Sequence, residues 1–151
     1  MIDMQKFNVY GFLSFGTFKN NKRDAFYLYD LASGEKMQLC STEKSEKWEP
    51  FFRFYFNPEA ITRGNQILED APVSKNTIIV IDEIGPRELD KKGWYHGIKK
   101  TRNTPGIKIY VVRKSILQQV IDKFSVREPV IIDIQKFSPD QFSEIINGIK
   151  V

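Results

Sequence analysis

Residues 77–89 have the sequence TIIVIDEIGPREL, in which a β-branched run leads directly into two carboxylates and then a Gly-Pro turn. A short apolar run without polar alternation is typical of a parallel strand that is covered on both faces. In a parallel sheet, ligands bind at the carboxyl ends of the strands. The stretch therefore predicts a buried strand over Thr77–Ile81 and places Asp82 and Glu83 at a ligand-binding edge.

The sequence on both sides of this stretch predicts alternating strands and helices. Ile107–Val112 and Val130–Ile134 are further apolar runs of the strand type. Helix starts are predicted at three capping signals, Asn57-Pro58-Glu59, Ser115-Ile116-Leu117-Gln118 and Ser138-Pro139-Asp140-Gln141. Buried strands that alternate with amphipathic helices form parallel βαβ units, so an α/β fold is expected.

Residues 1–41 have a different pattern, in which strand-like segments are separated by turns. The segments are Val9–Phe18, Ala25–Leu31 and Lys36–Cys40, and the polar residues Lys19–Arg23 are predicted to form a hairpin tip. We expect a single three-layer α/β domain over residues 1–151 with a mostly parallel sheet. Residues 1–41 would form an antiparallel meander, and residues 57–151 would alternate helix and strand.

Composition excludes several classes of protein. The 151 residues include one cysteine and one histidine, so neither a disulfide framework nor a multi-cysteine or histidine-rich metal centre is expected. No apolar run has the roughly 18–20 residues that span a bilayer. The sequence MIDMQKFNVYG lacks the layout of an export signal. A cytoplasmic protein without a membrane partner is therefore expected, and its net charge of +4 is compatible with a phosphate-bearing ligand.

The acidic pair is the candidate chemical site. Two carboxylates at the end of a parallel strand suit Mg²⁺, a hard cation that prefers oxygen ligands and keeps several waters. The alternative is a solvated acidic turn that follows a buried strand and has no chemical role. The bare pattern of apolar residues followed by Asp82 and Glu83 leaves both interpretations open.

The longer string VIDEIGPREL, residues 80–89, resembles the Walker B region of the small nucleoside-triphosphatase and nucleotide-kinase-like family first described in thermophiles, which carries DEIG-x-x-EL. Other segments resemble the same family in the same order, namely Gly11-Phe12-Leu13-Ser14, Phe54-Tyr55-Phe56-Asn57-Pro58 and Val111-Val112-Arg113. The resemblance implies a P-loop NTPase fold of RecA-like ancestry and a site for Mg²⁺ with ATP or GTP. It also implies that Asp82 holds the metal, Glu83 is the general base and Arg113 stabilises transition-state charge.

The chain departs from this family at the phosphate-binding loop. Family members begin with a strand, a GxxGxGK(S/T) loop and a helix, and only ten residues precede Gly11 here. The segment Gly11–Phe18 has GxxxxG spacing, but Thr17 stands in the lysine position and Phe18 in the hydroxyl position. It therefore lacks the charge and the hydroxyl that hold phosphate and magnesium, and its alternation predicts a strand. We expect the P-loop βα unit to be missing from these residues.

Three outcomes remain open for the partners. Another polypeptide can supply the missing unit, the sheet can close without it, or this chain can be half of a longer protein; an incomplete sheet also favours self-association. The alternative function is a non-catalytic pseudo-NTPase that acts as a binding or regulatory module. Nucleic-acid binding through Lys19–Arg23 and exposed aromatics such as Tyr27 and Tyr29 is a weaker competitor, because no RNA-binding motif accompanies them.

Three residues near the motif have structural interpretations. Arg87 is expected to be solvated, since it replaces a residue that is often apolar in the family. Glu88 is assigned a structural role rather than a chemical one. Trp94 is expected to pack at a helix start rather than stack on a base.

Overall fold

The computed structural model describes residues 6–149, and these residues form one seven-stranded sheet with helices on both faces. The ends of the predicted domain, and the first residues considered for an export signal, lie outside the described residues. The strands are β1 (Asn8–Lys19), β2 (Lys22–Asp30), β3 (Lys36–Ser41), β4 (Glu49–Phe51), β5 (Phe54–Phe56), β6 (Thr77–Ile84) and β7 (Ile107–Val112). The helices are α1 (Pro58–Glu69), α2 (Pro86–Leu89), α3 (Tyr95–Thr101), α4 (Leu117–Phe124) and α5 (Pro139–Gly148).

Strand β1 joins the parallel and antiparallel parts of the sheet, whose strand order is β4-β5-β3-β2-β1-β6-β7. The first half of β1 pairs in parallel with β6, from Asn8 opposite Thr77 to Phe12 opposite Ile81. The rest of β1 pairs antiparallel with β2, and the hairpin between them turns at Asn20 and Asn21, both of which have positive φ. The second half of β1 therefore begins beside the carboxyl end of β6.

The expectation of a mostly parallel sheet is wrong for the described residues. Their strands make four antiparallel pairings and two parallel ones, β1 with β6 and β6 with β7. The physical reason is the length of β1, because a strand of 12 residues has room for both kinds of neighbour. The meander consequently belongs to the main sheet and is not a separate attachment.

Alternating side chains of β6 divide the core into two layers. Ile79 and Ile81 pack with residues of α1, α3 and α4 on one face. Ile78 and Val80 point to the opposite face, where Ile146 of α5 packs with them. Both faces of β6 are covered, as its continuous β-branched sequence predicts.

The strand predicted over Val130–Ile134 is wrong, since the structure has no strand there. A β-strand needs the backbone of a neighbouring strand, and the only pairing that β7 makes among the described residues is with β6. Val130 is 70% exposed and Ile134 is 85% exposed, although both are strongly apolar. The segment has the composition of a buried strand but no strand beside it.

Two of the three predicted helix caps are present. The Asn57 side chain accepts a hydrogen bond from the Glu59 N–H at 3.1 Å, and Ser138 accepts one from the Gln141 N–H at 3.3 Å. The predicted cap at Ser115 is wrong, because a short 3₁₀ turn at Lys114–Ile116 precedes α4, which has no side-chain cap. Among the described helices, none is long and apolar enough to cross a bilayer.

Candidate active site at the end of strand β6

A β-bulge near the end of β6 holds the acidic pair. Ile81 is opposite Tyr110 and Ile84 is opposite Val112, so β6 contains one more residue than β7 between these pairs. Glu83 takes up this irregularity with a φ of +56°, a left-handed conformation that is costly for a residue with a side chain. Bulges of this kind change the direction of side chains next to functional sites. Here the bulge leaves Asp82 half-buried and Glu83 exposed.

Two backbone N–H groups fix the orientation of the Asp82 carboxylate. Its Oδ2 accepts a hydrogen bond from the Ser14 N–H at 2.8 Å, and its Oδ1 accepts one from the Glu83 N–H at 2.9 Å. Ser14 lies two residues beyond Phe12, where the parallel pairing of β1 with β6 ends. The carboxylate thus takes the place of a main-chain partner at this point of the sheet, and it is held rigidly.

Ser14 is a site residue that the sequence reasoning did not assign. Its backbone N–H positions Asp82, and its Oγ is buried without a hydrogen-bond partner among the described residues. The only sequence signal was its place in the Gly11–Ser14 segment. No local pattern shows that this segment crosses beside Asp82, because the contact spans 68 positions of sequence.

Arg113 lies beside Glu83 at the same edge of the sheet. It directly follows β7, and its Nη2 is 3.8 Å from the Glu83 Oε2. The Arg113 side chain is 72% exposed and that of Glu83 is 41% exposed, so water screens their attraction. The structure therefore brings together all three predicted residues, Asp82, Glu83 and Arg113. It leaves the Glu83 and Arg113 side chains accessible to a ligand.

Glu88 connects two backbone segments next to this edge of the sheet. Its buried carboxylate accepts hydrogen bonds from the Gly85 N–H at 2.8 Å and the Trp94 N–H at 3.0 Å. Burial raises the pKa of Glu88 above its ordinary value, and the hydrogen bonds from Trp94 and Gly85 oppose that shift. Gly93 lies against it with a φ of +56°, where a Cβ atom would collide with the carboxylate. Glu88 thus ties the turn after β6 to the start of α3, in agreement with a structural role.

Arg87 is buried, so the expectation that it would be solvated is wrong. It is 6% exposed, and its guanidinium lies 4.2 Å from the centre of the Phe56 ring. Its Nη2 donates to the Glu49 Oε2 at 3.1 Å. Aromatic faces and a carboxylate make this burial possible, and both come from β4 and β5.

Trp94 packs in the core, as expected. It is 3% exposed, its ring centre is 4.6 Å from that of Phe12, and it fills the space above Gly64. It is therefore not accessible to a base.

The donor set fits Mg²⁺ that is shared with a phosphate ligand. Among residues 6–149, no group of three or more His, Cys, Asp or Glu side chains is placed to enclose a metal. Mg²⁺ is commonly held by one or two carboxylates together with waters and substrate phosphates, and an all-protein cage is unnecessary. Asp82 has a fixed orientation, so its carboxylate would hold the ion, and the exposed Glu83 carboxylate lies next to it in the chain.

The Gly11–Phe18 segment is extended and lies within β1. Gly11 has a φ of +99° and packs against the Val80 backbone so closely that a Cβ atom would collide with the Val80 oxygen. The Ser14 N–H already donates to Asp82. This segment is therefore not a loop of free N–H groups that surrounds a phosphate.

Comparisons with known proteins agree with this architecture. Residues 1–147 match the model of a family described as NTPase. THEP1 from the hyperthermophile Aquifex aeolicus has a similar structure, with 22% identity, a TM-score of 0.62, and coverage of 91% of this chain and 81% of that chain. A human cancer-related nucleoside triphosphatase has 20% identity, a TM-score of 0.54, and coverage of 76% of this chain and 68% of that chain.

At these identities, the two solved structures establish the likeness of fold. No curated protein sequence is significantly similar to the chain. The family model extends over nearly the whole sequence and includes the strand, the acidic bulge and the arginine described above. The chain belongs to the NTPase family.

Proposed function

We propose that this chain contributes the magnesium-binding and water-positioning half of a nucleoside-triphosphate site, equivalent to a Walker B element. The phosphate-binding loop would come from outside these 151 residues. The observation that carries the proposal is the Asp82 carboxylate, which two backbone N–H groups hold at the end of a parallel strand. Similarity to proteins named as nucleoside triphosphatases supports the choice of ligand.

Each of the three residues has a distinct proposed role. Asp82 would bind Mg²⁺, which supplies neutralisation of phosphate charge when it is bound. Glu83 is exposed and adjacent, so its carboxylate would orient a water molecule and accept its proton. Arg113 would move from its weak contact with Glu83 to a phosphate oxygen, where it stabilises developing negative charge.

The other half of the proposed site is the part that binds the phosphate groups of the nucleotide. ATP or GTP carries about four negative charges, which P-loop proteins hold with successive backbone N–H groups and a lysine. Each charge-assisted hydrogen bond contributes on the order of 1.5–3 kcal/mol, so loss of several removes most of the affinity. We therefore expect the chain alone to bind Mg²⁺–nucleotide weakly and to hydrolyse it slowly or not at all.

The test uses Mn²⁺, a paramagnetic substitute for Mg²⁺, added with ATP or GTP to isotope-labelled protein. We expect line broadening of NMR signals centred on Ser14, Asp82, Glu83 and Arg113. Asp82→Asn should abolish it, whereas Asp70→Asn should not, because Asp70 is an exposed acid at the end of α1. Broadening spread over the acidic surface, or unchanged in Asp82→Asn, would contradict the proposal.

A hydrolysis assay distinguishes the two candidate functions, an enzyme and a non-catalytic pseudo-NTPase. A Mn²⁺ site that depends on Asp82, with Mg²⁺-dependent phosphate release that is lost in Glu83→Gln, supports an enzyme. An intact metal site without hydrolysis, even when a P-loop is supplied, identifies a binding or regulatory module.

A further inference from the structure

The turn between β1 and β2 extends past the sheet edge that carries the acidic pair. The parallel pairing of β1 with β6 ends at Phe12 opposite Ile81, and β1 then continues to Lys19. Ser14 contacts Asp82, and Lys19 lies five residues further along the strand. At roughly 3.3 Å per residue, this turn projects about 17 Å beyond the acidic pair.

The turn between β4 and β5 lies beside the first turn. Ser41, at the end of β3, is opposite both Ala25 of β2 and Tyr55 of β5. The start of β5 is therefore close to the start of β2, and the β4–β5 turn at Phe52 and Arg53 lies at the same end of the sheet as the β1–β2 turn. A cleft of about 410 Å³ is lined by residues of both turns, and we call it the inter-turn cleft.

The inter-turn cleft carries an excess of positive charge. Four exposed cations line it, namely Lys19, Lys22, Arg23 and Arg53. The acid in the lining is Asp24, whose carboxylate accepts a hydrogen bond from the Thr17 hydroxyl at 2.9 Å. Lys19 forms an exposed ion pair with Glu43 at 3.5 Å, and the other three cations belong to no ion pair among the described residues. The cleft is therefore suited to a ligand with several negative charges.

Each of the two turns also presents an exposed aromatic ring. Phe18 is 64% exposed and Phe52 is 86% exposed. The Arg23 guanidinium lies 5.4 Å from the centre of the Phe18 ring. Phe52 has a φ of +50°, and strained conformations of this kind are concentrated at ligand-binding sites. Tyr27 and Tyr29, the stacking candidates named from the sequence, are half-buried, so the exposed rings are those of the two phenylalanines.

We propose that the inter-turn cleft binds a single-stranded nucleic acid. Its phosphates would lie against the lysines and arginines, and its bases would stack on Phe18 and Phe52, because aromatic faces and cations together bind single strands without a sequence motif. A single nucleotide has one base, whereas a ring on each turn offers places for at least two. This inference does not rest on the proposed function, since its residues are separate from Asp82, Glu83 and Arg113.

An anionic membrane surface is the other partner that combines negative charge with contacts to exposed rings. The shape of the site favours nucleic acid, because the cations line a cleft. A strand of nucleic acid can enter a cleft of this size, whereas a bilayer surface contacts the side chains that project furthest. The membrane is therefore treated as an outcome of the test.

The probe is a fluorescently labelled deoxythymidine oligonucleotide of about 12 nucleotides, within the roughly 4–16 nucleotides that comparable single-strand sites cover. Binding to the full chain is measured by fluorescence anisotropy over a series of KCl concentrations. We expect the affinity to fall as salt rises, with a log–log slope of about −2 to −3 for three or four neutralised phosphates. Absence of binding at low salt overturns the proposal.

A charge-reversal variant tests the location. Lys22→Glu should weaken oligonucleotide binding by about tenfold and make the salt dependence less steep. Lys75→Glu is the matched control, because Lys75 is an exposed lysine in the loop before β6 and the change in net charge is the same. It should alter the affinity by no more than about twofold. Equal losses in the two variants would mean that only net charge matters, and would overturn the proposal.

An aromatic variant tests stacking. Phe52→Leu keeps an apolar side chain but removes the ring, so it should weaken oligonucleotide binding by about fivefold or more. Phe137→Leu is the matched control at a partly exposed phenylalanine before α5, and it should leave binding unchanged. Unchanged binding by Phe52→Leu would show that bases do not stack on this ring and would contradict the proposal.

Two further ligands distinguish the sources of negative charge. Vesicles of equal parts phosphatidylcholine and phosphatidylserine should bind more weakly than the oligonucleotide at equal phosphate concentration. Tighter binding to vesicles that Phe52→Leu leaves unchanged would identify a membrane surface and overturn the proposal. Inorganic pyrophosphate should displace the oligonucleotide only in large excess, and displacement at equal phosphate concentration would identify a site for small anions and equally overturn it.

Discussion

The Ser14 backbone N–H donates to the Asp82 Oδ2 at 2.8 Å, and this contact ties the second half of β1 to the acidic bulge of β6. Hydrogen bonds to charged groups are stronger than those between neutral groups, so Asp82 contributes to stability as well as to the candidate site. We expect Asp82→Ala to lower the free energy of unfolding by about 1–2 kcal/mol.

Urea denaturation measures this loss for Asp82. Asp82→Asn keeps an acceptor oxygen and should lose less than Asp82→Ala. Asp70→Ala, at an exposed position, should change stability by no more than about 0.5 kcal/mol. A loss in Asp82→Ala no larger than in the Asp70 control would show that the Ser14 contact is not stabilising.

The left-handed conformation of Glu83 predicts local backbone strain at the bulge. Glycine adopts a φ of +56° without the Cβ penalty, so Glu83→Gly should be more stable than Glu83→Ala by about 1 kcal/mol. Both variants lose the carboxylate, and their comparison therefore isolates the backbone effect. Thermal denaturation of the pair tests this, and equal melting temperatures would exclude backbone strain at the bulge.

Because the guanidinium of Arg87 is buried, we expect the substitution Arg87→Lys to lower the free energy of unfolding. A lysine ammonium has no planar face to stack on Phe56 and lacks the Nη2 that donates to Glu49, so Arg87→Lys should cost about 1–2 kcal/mol. Arg53 is the matched control, since it lies over Phe54 but is exposed. Arg53→Lys should cost less than about 0.5 kcal/mol in the same urea titration, and similar losses at the two positions would contradict the argument.

The pKa of Glu88 predicts a pH-dependent contribution to stability. The unfolded chain loses this proton near the ordinary value of 4.5, whereas burial raises the pKa in the folded protein. The folded state is therefore favoured at low pH, and this contribution is lost as the pH rises through the folded pKa. Glu88→Gln cannot titrate, so the difference in unfolding free energy between wild type and Glu88→Gln should shrink as the pH rises above 4.5. A difference that is independent of pH between 4.5 and 7.5 would refute the shifted pKa.

Local patterns were enough to place the acidic pair. A β-branched run predicts a covered parallel strand whatever follows in the chain, because each of its side chains needs an apolar neighbour. The strand β6 and its position between β1 and β7 agree with that prediction, and Asp82 and Glu83 lie near its carboxyl end. Arg113 lies at the same edge because it directly follows β7, whose apolar run the sequence also predicts.

Contacts between distant segments could not be predicted in this way. Arg87 looked like a solvated residue, and its burial depends on Phe56 and Glu49, which lie more than thirty positions earlier. Val130–Ile134 has the composition of a strand, but pairing requires a neighbouring backbone that the described residues do not offer. In both cases, the outcome depended on which distant residues lie beside the segment, and the segment's own composition did not decide it.

The sequence by itself determined which segments would form strands that are apolar on both faces and where the acids follow them. It also determined that no lysine-bearing glycine loop accompanies them in these 151 residues. These are properties of neighbours along the chain, which short-range periodicity and chemistry reveal. Only the tertiary structure decided that the Ser14 N–H holds Asp82, that Glu83 takes a strained backbone conformation beside Arg113, and that β7 pairs only with β6 among the described residues. Those features depend on which backbones meet across the sheet, and hydrogen bonding between strands is decided only when the whole chain has folded.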